Sequence, residues 1–81
     1  MMIEKALNEL KGKVIDYDVI HNGTIFALVK SKAGNYSIRQ CFRNGNGEYQ
    51  GWMVAKLFRK ADEQMTRWDF EEMVSIARRH A

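Results

Sequence analysis

Three glycine-bearing turn signals, spaced about one strand apart, constrain the fold of this chain more than any other feature: Asn22-Gly23, Ala33-Gly34-Asn35 and Asn44-Gly45-Asn46-Gly47. A tight chain reversal needs residues with φ > 0, which Gly adopts at no steric cost and Asn tolerates, so Asn-Gly between apolar runs marks a β-hairpin. Residues 14–21 and 24–31, on either side of the first signal, are rich in β-branched and aromatic side chains, as strands are.

The turns also predict a register. A two-residue Asn22-Gly23 loop pairs His21 with Thr24. Val19, Tyr17 and Ile15 then share one face with Phe26, Leu28 and Lys30, while Asp16, Asp18 and Ile20 join Ile25, Ala27 and Val29 on the other. At the second turn a three-residue loop with a left-handed glycine sets Phe42 beside Phe26 and Gln40 beside Leu28. A two-residue loop there would turn Arg39 onto the apolar face.

Helical spacing brackets these strands. Ile3, Ala6, Leu7 and Leu10 fall at i, i+3, i+4 and i+7, and Gly12 is placed to end that helix. At the other end Phe70, Met73, Val74 and Ala77 form a stripe, with Thr66 as the expected cap, Asp69 completing a capping-box-like pair and Arg78, Arg79 and His80 favourably placed at the negative end of the helix dipole. Residues 52–64 admit two readings. As a helix, Val54, Leu57, Phe58, Ala61 and Met65 make a 3.6-residue stripe; as a strand returning from Asn46-Gly47, Met53, Ala55 and Leu57 reach the core beside Gln40, Ile38 and Tyr36. The strand is preferred, because a helix here would run into the next with almost no connection. The expected fold is thus α+β, an antiparallel meander of three to four strands between an N-terminal and a C-terminal helix, in the order α-β-β-β-β-α. Residues 1–81 form a single domain whose core includes Phe26, Leu28, Ile38, Phe42, Leu57 and Met73.

Size and composition narrow the function. A chain of 81 residues buries roughly 60–65% of the surface it exposes unfolded, which leaves room for one modest core and no enclosed catalytic cavity. Thirteen Lys and Arg stand against ten Asp and Glu, interspersed without a block of five like charges, so the net charge of +3 favours acidic partners only weakly. Glu4, Lys5 and Glu9 interrupt the first ten residues, unlike a signal peptide, and no apolar run approaches membrane-spanning length. A cytoplasmic protein without membrane contact is the expectation. Cys41 is the only cysteine, which excludes an internal disulfide and a cysteine-only metal site. His21 and His80 stand in no ligand or triad spacing with it, Gly45 and Gly47 form only a short G-x-G, and no phosphate-loop motif is present. Asp16 and Asp18, roughly 6–7 Å apart along a strand, have the separation of paired catalytic carboxylates. Solvation and pairing with Arg39 account for them more simply.

The face opposite the core carries the chemistry that stands out. In the expected register it presents Arg39, Cys41, Arg43, Trp52, Val54 and Lys56. Arg and Trp are the commonest interface hot spots, so Trp52, Arg39, Arg43 and Lys56 are the candidate partner-binding residues, unless a helix crosses this face and makes Trp52 core. The expectation is a small non-catalytic binding protein without a cofactor, a regulator or inhibitor docking on a protein partner through this face. The alternative is a nucleic-acid-binding module using the same basic and aromatic residues. Small, motif-free α+β chains are common among phage and mobile-element products that occupy a partner's surface, a prior about a class and not a reading of residues.

Overall fold

All three chain reversals of the sheet are built alike. In the computed structural model, which describes residues 2–80, Gly23 N–H donates to Ile20 O, Gly34 N–H to Ser31 O and Gly47 N–H to Asn44 O, at 2.9–3.0 Å. One residue on, the chain closes back through Ile20 N–H to Thr24 O, Ser31 N–H to Asn35 O and Asn44 N–H to Glu48 O. Each loop is therefore a three-residue connection ending on a left-handed glycine, with φ of 91°, 90° and 80° respectively. Polar side chains brace them: Asn22 Oδ1 accepts from Thr24 N–H, Ser31 Oγ from Asn35 N–H, and Asn44 Oδ1 from both Asn46 and Glu48.

These turns connect β1 (Lys13–Val19), β2 (Ile25–Lys30), β3 (Tyr36–Cys41) and β4 (Met53–Leu57) into one antiparallel sheet in the order β1-β2-β3-β4. Helix α1 (Met2–Asn8) precedes the meander and α2 (Glu63–His80) follows it, giving α-β-β-β-β-α as expected. Residues 53–57 are strand, so the ambiguous segment resolves in favour of the hairpin return.

The register departs from expectation at the first turn. Because its loop holds three residues instead of two, Ile20 pairs with Thr24, and Asp18 faces Phe26, Tyr17 faces Ala27 and Val19 faces Ile25. A slip of one residue turns Asp16, Tyr17, Asp18 and Val19 over, whereas Val14 and Ile15, at and before the bulge in this strand, keep their expected faces. At the second turn the loop length is as expected, but it spans residues 32–34, and Leu28 pairs with Ile38 and Phe26 with Gln40. This two-residue shift keeps the faces and moves Phe42 off the end of the core, where it is exposed instead of buried. Both edge strands carry an extra residue, Ile15 in β1 and Ala55 in β4, where the pairing shifts. Such bulges bend and twist a strand, and on an edge they spoil it as a template for further pairing. The bulge at Ala55 also reverses the parity of residues 56–58. Phe58 enters the core, whereas Leu57, expected inside, points away and is 65% exposed.

Two cores result, one on each face. Ile20, Phe26, Leu28, Tyr36, Ile38 and Phe58 pack with Phe70 and Val74 of α2, and Met73 and Ala77 close against them. The α2 stripe is the expected one, but the helix starts earlier. Asp62 Oδ1 accepts from Met65 N–H at 2.8 Å, so Asp62 is the cap, and Thr66 is fully buried inside the helix with its hydroxyl donating to Glu63 O. On the opposite face Ile25 and Cys41 pack against Ala6, with Ile3, Leu7, Val19, Tyr49 and Trp52 around them. Helix α1 ends at Asn8, so Gly12 does not cap it. With φ of 100°, Gly12 instead lets the chain pass so close to β2 that a Cβ there would lie 2.6 Å from Lys30 O.

Candidate functional site

The register arranges the α1 face of the sheet in rows across the strands. Val19, Ile25 and Cys41 form one row, which α1 covers. The next is Tyr17, Ala27, Arg39 and Val54, and beyond it lie Val14, Val29, Ser37 and Leu57. No residue of these two rows belongs to the cluster that packs on α1. Ala27, Val29 and Ser37, on the central strands, are buried, whereas Tyr17, Val54 and Leu57, on the edge strands, are 50%, 47% and 65% exposed. Among these apolar groups stands a single cation. Arg39 Nε–H donates to the buried Ser37 Oγ at 3.0 Å, which fixes the plane of the guanidinium. Among the described residues Arg39 forms no ion pair. An oriented fork without a carboxylate partner, surrounded by aliphatic and aromatic surface, can accept a carboxylate or another planar acceptor in two-point geometry.

The other candidate residues separate. Trp52 lies on the same face but serves the fold: its indole N–H donates to Ala6 O at 2.7 Å and its ring packs beneath α1, so a helix does cross that end of the sheet. Arg43 lies at the far end, where its guanidinium rests 2.9 Å from the position a Cβ on Gly23 would take. Lys56 was expected beside Trp52 but is carried to the opposite face by the Ala55 bulge, where its ammonium binds Asp69 of α2 at 2.8 Å and lies over the Phe58 ring. Asp16 and Asp18 also face α2 instead of Arg39. Asp18 accepts from Arg78 at 2.7 Å and Asp16 is 3.9 Å from Arg67. Among the described residues no group of three His, Cys, Asp or Glu is placed to hold a metal ion, and no helix is long and apolar enough to cross a membrane. Sequence reasoning missed Tyr17 and Leu57 as members of the open face. Their placement depends on one turn length and one bulge, neither of which has a side-chain signature in this sequence.

Cys41, expected to face outward, is 1% exposed, and its thiol donates to Gln50 O. Burial pushes its pKa up, and the nearby Glu9 adds to the rise. Both effects reduce the thiolate fraction, which is the reactive form. Native protein at pH 7.5 should therefore resist a thiol reagent that labels the denatured chain at once. Rapid stoichiometric labelling of the folded protein would show that α1 does not hold this end of the sheet closed.

No family model, curated protein or solved structure matches this chain.

Proposed function

We propose that the chain is a small non-catalytic binding protein that docks on a protein partner through the open sheet face of Tyr17, Arg39, Val54 and Leu57, acting as a regulator or inhibitor by occupying the partner's surface. The observation that carries this reading is Arg39: a guanidinium oriented by a buried hydroxyl, without an internal carboxylate, inside a rim of exposed apolar side chains. The partner it fits presents a carboxylate within an apolar patch. Interfaces of this kind combine a directional charged contact with surrounding groups that exclude water. Nucleic acid held by Trp52, Arg39, Arg43 and Lys56 would need those four side chains on one surface, and they occupy separate places. The aliphatic Val54 and Leu57 suit a protein better than a stack of bases.

The test is affinity capture from nuclease-treated extract of the native host, comparing wild type with Arg39→Ala and Leu57→Asp. A hot-spot arginine contributes about 2 kcal/mol or more, so Arg39→Ala should weaken a purified partner about 30-fold. Leu57→Asp alters a solvent-facing group and should keep the wild-type denaturation midpoint, and Arg39→Ala, which also removes the hydrogen bond to Ser37, should cost no more than about 1 kcal/mol of stability. A partner that binds all three proteins equally would sink the proposal, and capture abolished by nuclease would point to nucleic acid.

A further inference from the structure

At the end of the sheet away from Cys41, four lysines converge. Lys13 at the start of β1 pairs directly with Lys30 at the end of β2. Lys11 and Lys32 flank them, and with Gly12 and Ser31 they line two adjoining grooves of 420 and 380 Å³ that contain no acidic side chain. Like charges directly opposite in an antiparallel pair destabilise it. Three cations elsewhere in the molecule are matched: Lys56 with Asp69, Arg67 with Glu63 and Asp16, and Arg78 with Asp18. Here, among the described residues, none of the four forms an ion pair. Lys30 makes only a cation-π contact, 5.5 Å above the Tyr36 ring.

The convergence is built into the backbone. Gly12 crosses so close to Lys30 O that any side chain at that position would push the start of β1 away from the end of β2. Without that crossing, Lys11 and Lys13 would not meet Lys30 and Lys32. A local repulsion that the fold maintains and does not neutralise is relieved when an anion supplies the missing charge.

We infer that the groove formed by Lys11, Lys13, Lys30 and Lys32 binds the phosphate backbone of nucleic acid without regard to sequence. Ammonium groups are compact point charges that accept phosphate oxygens from many directions, and four of them along a groove match a run of phosphates better than one rigid two-point ligand. The site lies at the end of the sheet and uses neither Arg39 nor the apolar rim, so it stands independently of the protein-docking reading.

Fluorescence anisotropy with a labelled 20-nucleotide single strand and a 20-base-pair duplex tests it. Both should bind with little sequence preference. If all four lysines contact phosphates, duplex affinity should fall about 100-fold between 50 and 200 mM salt. The double variant Lys13→Gln with Lys32→Gln should reduce the slope of log K against log salt by about two. Its melting temperature in low salt should be no lower than wild type, because repulsion is removed. Arg39→Ala should leave binding and slope unchanged, so failure here and failure at the sheet face are distinguishable. Three results would each overturn the inference: no binding at 50 mM salt, an unchanged slope in the double variant, or equally tight binding of polyglutamate of matched charge, which would assign the groove to an acidic polypeptide.

Discussion

Phe70→Ala is expected to cost about 3–5 kcal/mol of stability, the range for emptying a buried aromatic site. Phe70 is 3% exposed and sits in the middle of the α2 stripe, against the cluster that includes Phe26, Leu28 and Ile38. A domain of this size has a total stability of about 4–12 kcal/mol, so the loss would leave it near or past unfolding at room temperature. Phe42→Ala is the matched control, the same truncation at a site that is 43% exposed. It should shift stability by no more than about 1 kcal/mol. Urea titration followed by far-UV circular dichroism checks both. Equal losses at the two positions would mean that the β2–β3 pairing is not the one that places Phe42 outside the core.

Trp52→Ala is expected to cost about 3 kcal/mol, at the low end for truncating an aromatic because the ring is only half buried. Two contributions combine: the packing of the ring under α1, and the hydrogen bond to Ala6 O. Trp52→Phe keeps most of the first and loses the second, so it should cost about 1 kcal/mol. Trp52→Ala should also expose Cys41, because ring and thiol belong to one cluster. Labelling of Cys41 in Trp52→Ala should therefore speed up more than the shift in denaturation midpoint explains, as expected when α1 lifts locally. An unchanged midpoint together with lost partner capture would return Trp52 to the binding surface.

Element order and much of the core were legible because they follow from composition over many residues. The β-branched runs, the glycine turns and the Phe70, Met73, Val74, Ala77 stripe each hold several mutually consistent signals. What could not be read depends on single residues. Asn22-Gly23 serves equally as the centre of a two-residue loop or as the last two residues of a three-residue loop, and the difference decides whether Asp16 and Asp18 meet Arg39 or α2. The bulge at Ala55 is equally silent, yet it moves Lys56 from one face to the other, brings Phe58 into the core and turns Leu57 out of it. Of the candidate surface, Arg39 could be placed because its parity survives the two-residue shift between β2 and β3. Trp52 shares that face, but no strand pattern reveals that a short helix from the other end of the chain lies across its ring.

The three matching turns also govern how the sheet assembles. β1 meets β2 and β2 meets β3 across loops of three residues, and a third such loop closes the Arg43–Tyr49 bridge that leads from β3 to β4, so closing each reversal costs little chain entropy, and that cost rises only with the logarithm of loop length. Every ladder joins strands adjacent in sequence, an arrangement of low contact order that allows pairing to spread from one hairpin to the next. Only the two helices must travel, each docking on a face that the local pairings have already made. The slow search that burdens sheets with distant partners is thereby confined to the placement of α1 and α2.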